Sequence, residues 1–451
     1  MSFIVKYNVA LPYYRISDNV LHPRMRSKGD HAICYSDEDI ITLAYRAAEN
    51  MVNEIDALFF ATTTPVFKNR YHASYLAGLL GLPEGILALD IGTTHRAGTD
   101  AVILAESLLQ TANYNNILVI ASNVNYPSIG SEVPQSFGHA AVAILLSNEG
   151  GITEIKTAKS YSCAMSEEFS YKGITTKYDP RFARTQGFKN NIKTVLQQRE
   201  ILASETDHLY LNSPYAKLAF KQLKKAGFDL KSQLCQDAVT SATGHTGAVH
   251  GLLFLIHALE NKTGNILLLD YHNGTNVIQF HTQKNNGRSL DQPHEYLEHY
   301  QDYLQLKKKG DFNSEEYESM EMFSSEMMQF REKDTLLKLI GHKCTSCGTI
   351  YLMKSTRCNA CRSDQFDPAK LSRTGTVYSV TSEYYFPHSF GPTQMVVIDL
   401  QGGGRITVQQ TDDMYPNELN LIKIGDSVTL VLRKMMENDQ KPNYFWKCVK
   451  I

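Results

Sequence analysis

The sequence predicts an α/β protein that ends in a metal-binding knuckle and a small β-barrel. Three observations carry this. Short, continuously apolar runs alternate with helical patterns over residues 1–283; one helix-to-strand unit occurs twice; and two CxxC pairs precede a series of short alternating strands. The runs Ala57–Ala61, Ile117–Ala121, Ala140–Leu146 and Ile266–Leu269 are apolar throughout, as strands buried on both faces require. Helical patterns lie between them at Asp39–Val52 and Gly98–Thr111.

The repeated unit begins at Gly98 and again at Gly247. Each reads as a polar turn (HRAGT, GHTGA), an apolar helix, a turn rich in Asn or Gly, and a strand, at Ile117 and Ile266 respectively. Equal spacing and equal order predict two similar halves, about 1–150 and 151–283. Residues 284–340 change composition to Tyr, Glu, Lys, Met and Gln and read as an amphipathic helical linker arm. Residues 341–370 hold the cysteine pairs. Residues 371–451 read as short strands around Gly402–Gly404, the pattern of a small barrel.

Composition narrows the function. The chain has 451 residues, a formal net charge of −2 and 43% hydrophobic residues, so it can bury a large core and offers no basic surplus for nucleic acid or anionic lipid. The stretch MSFIVKYNVALPYYRISDNV has no apolar core behind a basic start and is not expected to act as a secretory leader, no run of about 18 apolar residues occurs in the sequence, and the expected compartment is the cytoplasm. Of eight cysteines, Cys34, Cys163, Cys235 and Cys448 stand alone. Cys344, Cys347, Cys358 and Cys361 form CxxC-x10-CxxC, which turns four thiolates toward one point. Four sulfur ligands close a tetrahedron, so the expectation is structural Zn2+ rather than a catalytic metal. A redox dithiol would need one exposed, low-pKa pair.

Three stretches, IGTTHRAGTDAV (Ile91–Val102), LYLNSPYAKLAFKQL (Leu209–Leu223) and TGHTGAVHGLLFLIHAL (Thr243–Leu259), give the first part a resemblance to the thiolase superfamily, in its hydroxymethylglutaryl-CoA synthase and ketoacyl synthase III branch. CTSCG…CNAC followed by LSRTGTVYSVT (Leu371–Thr381) resembles the zinc-ribbon and OB-fold domain found beside such enzymes. The resemblance implies a thiolase-like duplicated five-layer fold, a rubredoxin-like zinc ribbon and an OB-type barrel. It also implies an acyl-CoA or acyl-carrier thioester as substrate.

The departures from the family pattern decide the functional expectation. His95 stands where the family has its acylated Cys, Asn212 where it has the catalytic His, and His245 where it has Asn. Thr62–Thr64 holds no carboxylate where the synthases carry a general-acid Glu. By analogy Lys217 lies near CoA phosphates, and Asn273 with Gly274 takes the place of a glycine-rich turn; a solvated lysine and a tight structural turn are the plain alternatives. Cys163 as a relocated nucleophile, and Glu167 or Glu168 as a substitute carboxylate, are weaker candidates than a small core residue and exposed charge.

Imidazole is a poor nucleophile toward a thioester compared with thiolate, so standard hydroxymethylglutaryl-CoA synthase chemistry is not expected. Four readings follow. The chain is an acyltransferase component that works with a Cys-bearing thiolase-like partner in a polyketide-like or specialised pathway. It is a self-sufficient acyltransferase using His95 and His245 as acid and base. It is a non-catalytic acyl-CoA scaffold. Or both histidines are buried core residues. A homodimer or a hetero-oligomer with a thiolase-like subunit is expected, without nucleic acid or membrane partners.

Overall fold

The computed structural model describes the chain apart from residues 1, 24–28, 112, 128–136, 166, 172–173, 178, 199, 284–286, 311–330, 354, 385–391, 413–420 and 438–441. It forms two compact units. The first holds Met1–Ile33, Leu43–Gly78 and Leu82–Glu298; the second holds Cys34–Thr42, Leu79–Gly81 and His299–Ile451.

The first unit is built on a nine-stranded sheet. Its strands are β1 (Ser2–Ala10), β2 (Ala57–Thr62), β3 (Leu87–Gly92), β4 (Asn116–Asn123), β5 (Ala140–Ser147), β6 (Thr153–Ser162), β7 (His208–Asn212), β8 (Gly264–Tyr271) and β9 (Gly274–Thr282). All four apolar runs of the sequence are strands, each extended by one to four residues. The spatial order is β7-β8-β9-β6-β1-β5-β4-β2-β3. Outward from β1, the pairings with β5 and then β4 are antiparallel, and those with β2 and then β3 are parallel. Outward from β6, β9 and then β8 are antiparallel, β7 is parallel, and a single parallel bridge from Leu209 to Leu234 stands in for a fifth strand. The two halves are therefore the same motif, joined where β1 pairs with β6.

Five helices position the site: α1 (His72–Leu80), α2 (Ala97–Leu109), α3 (Asn190–Val195), α4 (Phe220–Lys225) and α5 (His250–Asn261). The repeated helices α2 and α5 touch each other, α2 against β4 and β2, α5 against β7 and β8. Gly98 allows this approach, since a Cβ there would stand 2.3 Å from the carbonyl oxygen of Ala248. Strand alternation then buries both faces: Ile266 and Leu268 of β8 join the core around α2 and α5, while Leu267 and Leu269 join Ile192 of α3 and Leu223 of α4. In the first half, Phe60 of β2 stacks on His72 of α1 at 5.4 Å, on the face opposite Phe59. Helix, half-sheet, paired central helices, half-sheet and helix make the layers.

The helix expected over Asp39–Val52 is shorter than its pattern, and the helix of the second repeat follows its GHTGA turn. The first helical pattern is helical over Ile40–Ala48, because the Asp39 carboxylate accepts from the N–H groups of Ile41 and Thr42 and caps it. The second repeat opens as a 3-10 turn over Gly247–Val249, and α5 starts at His250, because Gly247 has φ of 56° and cannot lie inside an α-helix.

In the second unit, Ile340–Cys344 pairs antiparallel with Ile350–Tyr351 and Phe366–Lys370. A closed barrel follows, from Thr374–Glu383, Thr393–Leu400, Arg405–Gln410, Pro442–Lys450 and Ser427–Glu437. Within the expected arm, Tyr300–Gly310 and Lys333–Leu336 are helical, whereas Glu295–Tyr296 is a strand beside Tyr14–Ser17; residues 284–286 and 311–330 lie outside the described residues.

The segment Cys34–Thr42 brings carboxylates to this unit. Lys447 Nζ lies 2.9 Å from Asp37 and 3.2 Å from Asp412, Arg433 lies 3.3 Å from Glu38, and the Tyr444 hydroxyl donates to Asp39 at 2.6 Å. Burial pushes Asp37 up, but Lys447 and Arg433 more than compensate and hold it below the usual carboxylate range.

Candidate functional site

The structure gathers His95, at the end of the turn before α2, with His245, in the turn before α5. Their ring centroids are 5.1 Å apart. Two further histidines that the motifs do not mark complete a row: His272 is 4.3 Å from His95, and His250 is 4.4 Å from His245. The backbone before His95 is strained, since Thr93 is β-branched yet has φ of 78°.

Backbone donors set the ring tautomers. The N–H of His95 donates to Nδ1 of His272, and the N–H of Gly247 donates to Nδ1 of His245, both at 3.3 Å. A ring nitrogen that accepts carries no proton, so each neutral ring keeps its proton on Nε2. The N–H of Thr246 points at Nδ1 of His250 from 3.4 Å, and the other ring nitrogen lies 2.9 Å from Thr240 Oγ1. Burial, reinforced by neighbouring imidazoles, holds His245 well below the usual range, brings His272 to about 3 and, against the pull of Asp237, brings His250 to about 4. These three rings are uncharged near neutrality and offer N–H donors rather than positive charge.

Asn212 ends β7 and is buried. Its amide donates to Asp270 Oδ1 at 2.8 Å, and Thr99 Oγ1 donates to Asp270 Oδ2 at 2.6 Å. Asp270 is itself 1% exposed; burial raises it to about 6, although both hydrogen bonds pull it down. Arg96 donates to Ser160 and to Asn276 at 2.6 Å each, and Asn276 donates to Thr99 and Asp100 at 2.8 Å, which pins the start of α2 to β9.

The remaining sequence candidates are placed as follows. The hydroxyl and N–H of Thr63 donate to Asn123, whose side chain abuts Gly247, so the Thr62–Thr64 run ties β2 to the His245 turn. Asn273 and Gly274 form the turn between β8 and β9, with φ of 55° and 117°. In the orientation that satisfies its amide, Asn273 donates to the carbonyls of Cys163 and Met165. Lys217 is exposed on a 3-10 turn, Ala216–Ala219. Cys163 is half-buried just after β6, and Glu167 accepts from the Tyr271 hydroxyl. Glu168 opens the strand Glu168–Tyr171.

The four knuckle cysteines converge. Cys344 Sγ is 3.6 Å from Cys361 Sγ, Cys347 Sγ is 3.5 Å from Cys358 Sγ, and all four lie within 4.8 Å of one another. Both knuckles close by the same hydrogen bond, Gly348 N to Cys344 O and Arg362 N to Cys358 O, with φ of 77° and 67° at the donors. The Tyr351 hydroxyl, 3.3 Å from Cys358 Sγ, is the main reason that thiol falls to about 6.

No protein-family model matches the chain. A hydroxymethylglutaryl-CoA synthase of Caldivirga maquilingensis is 22% identical over 309 residues, 62% of this chain and 87% of the relative. A DUF35 domain-containing scaffold protein of Methanocaldococcus jannaschii is 35% identical over 104 residues, 22% of this chain and 71% of the relative. The chain joins a thiolase-type, hydroxymethylglutaryl-CoA synthase-like unit to a domain of the DUF35 family. Solved structures agree on the fold of the thiolase-type unit. A hydroxymethylglutaryl-CoA synthase complexed with CoA aligns with a TM-score of 0.57 at 16% identity, over 72% of this chain and 95% of that one. The hydroxymethylglutaryl synthase of the curacin pathway, in complex with its holo donor acyl-carrier protein, aligns with a TM-score of 0.57 at 14% identity, over 68% and 88%. Among the described residues of this thiolase-type, DUF35-bearing chain, no helix is long and apolar enough to cross a membrane.

Proposed function

We propose that this thiolase-superfamily chain acts on acyl groups carried by CoA or a carrier protein, as one component of an acyltransferase whose thiol nucleophile belongs to a Cys-bearing thiolase-like partner. The observation that carries the reading is the make-up of the cluster at the start of α2: the His95 ring stands 5.1 Å from that of His245 and 4.3 Å from that of His272, so three imidazoles gather where the resembled family places its reactive group. Neutral rings with Nε2–H suit a polarised thioester carbonyl, the role of an oxyanion hole, and do not supply a thiolate. Asn212 adds an amide at the end of β7, and Lys217, Asn273 and Gly274 are the proposed contacts to the CoA or carrier moiety. The relative solved with a carrier protein and the DUF35 scaffold relative support a thioester substrate and a hetero-oligomeric assembly.

In this reading residues 1–283 form the acyl unit, 284–340 the arm, 341–370 a zinc ribbon and 371–451 an OB barrel. A tetrahedral ion with metal–sulfur bonds of about 2.3 Å separates its sulfurs by about 3.8 Å. The observed 3.5 and 3.6 Å separations fit Zn2+ held by Cys344, Cys347, Cys358 and Cys361, where it would close the two knuckles as a structural clamp.

The test is thiol release from acetyl-, acetoacetyl- and malonyl-CoA, with the chain alone and with whatever thiolase-like protein copurifies from the source organism. The expected result is no turnover alone and turnover with the companion. Full activity of the isolated chain that is lost in His95→Ala would instead establish the self-sufficient acid–base mechanism.

A further inference from the structure

The three motif stretches share a contact with one buried carboxylate that lies in none of them. Thr99, four residues after His95, donates to Asp270 Oδ2; Asn212 donates to Oδ1; and a Cβ at Gly251, beside His250, would stand 2.2 Å from Oδ2. Asp270 is also two residues before His272 on the same run of chain. We propose that Asp270 is the positioning residue of the acyl site, fixing the orientation of the Asn212 amide and locking β7 to the helix that begins behind His95. The inference rests on the acyl-site reading above.

The chemistry is that of an acceptor-only group. An ionised carboxylate can only accept, so it forces the nitrogen end of the Asn212 amide toward itself and leaves one N–H and the carbonyl oxygen for other contacts. A neutral amide in its place could accept or donate, and Asn212 would then turn over freely. Protonation has a related effect, since Asp270 would gain a donor that competes with Asn212 or Thr99. The groups facing it from the packed elements are Arg96, Thr99 and Asp100 of the α2 start, with Arg96 and Asp100 3.6 Å apart; Asn212 of β7; Asn276, its register partner on β9; and Gly251, with His250 beside it, of α5. The carboxyl is already raised to about 6, so its charge changes between pH 5 and 7.

The experiment uses the full chain, Asp270→Asn, and the exchange variant Asn212→Asp with Asp270→Asn, which keeps an amide–carboxylate pair but reverses it. Acetyl-CoA binding is measured by calorimetry from pH 5 to 8, with thermal midpoints in parallel. In the wild type, affinity is expected to change with a midpoint near pH 6. Asp270→Asn should bind about tenfold more weakly, the worth of one hydrogen bond to a charged group, and lose that pH dependence. The exchange variant should recover the thermal midpoint and not the affinity. Wild-type affinity and pH profile in Asp270→Asn, or recovery of both properties by the exchange, overturns the assignment. A second readout is independent of thioester binding: the side-chain amide resonances of Asn212, in selectively labelled protein, should titrate with a midpoint near pH 6 in the wild type and stay flat in Asp270→Asn. Amide titration without acetyl-CoA binding overturns the acyl-site reading alone. Amide signals indifferent to pH between 5 and 7 overturn the role of Asp270, whatever acetyl-CoA does.

Discussion

Buried imidazoles set which protons the folded molecule holds, and therefore its response to acid. His139 and His272 lie at about 3 and His250 at about 4, against an ordinary value of 6.5. Between those values and 6.5 the unfolded chain binds more protons than the folded one, so stability rises with pH through the window and is lost as pH falls through it. Asp270 works in the opposite sense. Raised from 3.8 to about 6, it favours the fold below 3.8 and loses that contribution as pH rises through 6. Three histidines outweigh one carboxylate, so the urea midpoint should fall steadily from pH 7 to pH 4.5. Asp270→Asn should steepen the fall, because the opposing contribution is removed; an identical slope in the variant would contradict the placement of a protonated carboxyl in the core.

The turn that carries His245 depends on backbone contact. A Cβ on Gly244 would stand 1.8 Å from the carbonyl oxygen of Phe137, at φ of 72°, and one on Gly138 would stand 1.9 Å from that of Thr243. His31 supports the same contact, its Nδ1 2.7 Å from the Phe137 carbonyl and its Nε2 2.8 Å from Asp18. Gly244→Ala should cost about 2–4 kcal/mol, read as a lowered thermal midpoint, since no flexible side chain can yield. In the knuckle, equimolar zinc by elemental analysis is expected. Cys358→Ser or a strong chelator should unfold the segment around the four-cysteine cluster, with loss of protease resistance over residues 340–370, while the apolar core of the first unit survives. Resistance unchanged by chelation would count against a metal clamp.

Elements of this kind are legible in the sequence because they are local. Apolar runs mark strands, CxxC pairs mark a knuckle, and the Gly98 and Gly247 units mark a duplication that the sheet repeats pairing for pairing. The strain in these turns is not legible, because a positive φ at Gly247 or Thr93 is a property of the folded turn, which residue type alone does not reveal. Asp270 and His272 are hidden for a different reason. They meet Thr99 and His95 across more than 170 residues of chain, and periodicity records which face a residue takes, never which distant side chain it finds there. The one available signal is an Asp near the end of an otherwise apolar core strand, ILLLDY.

At the scale of the whole molecule, the order of domains along the chain conceals a dependence. Cys34–Thr42 lies early in the sequence yet belongs to the second unit, where Asp37 and Glu38 are 2% exposed each and face Lys447 and Arg433. Buried charges are tolerable only while paired; removing one partner leaves the other desolvated, at about 3–5 kcal/mol. Lys447→Met should therefore lower the thermal midpoint by an amount that Asp37→Asn partly restores, because the double variant no longer strands the Asp37 carboxylate and leaves only Asp412 without the Lys447 cation. The same reasoning bears on dissection of the chain. A truncated chain ending at residue 298 keeps the segment Cys34–Thr42 and discards Lys447 and Arg433, which neutralise it, together with the Tyr444 hydroxyl that donates to Asp39. It should be poorly soluble alone and become soluble when residues 299–451 are coexpressed as a separate chain. Replacing Asp37 and Glu38 by Asn and Gln should recover part of that solubility without the second chain, since neutral amides carry a far smaller desolvation cost. If the truncated protein is instead as soluble and as stable as the full chain, the carboxylates of this segment do not need their barrel partners, and the buried ion cluster contributes nothing that holds the molecule together.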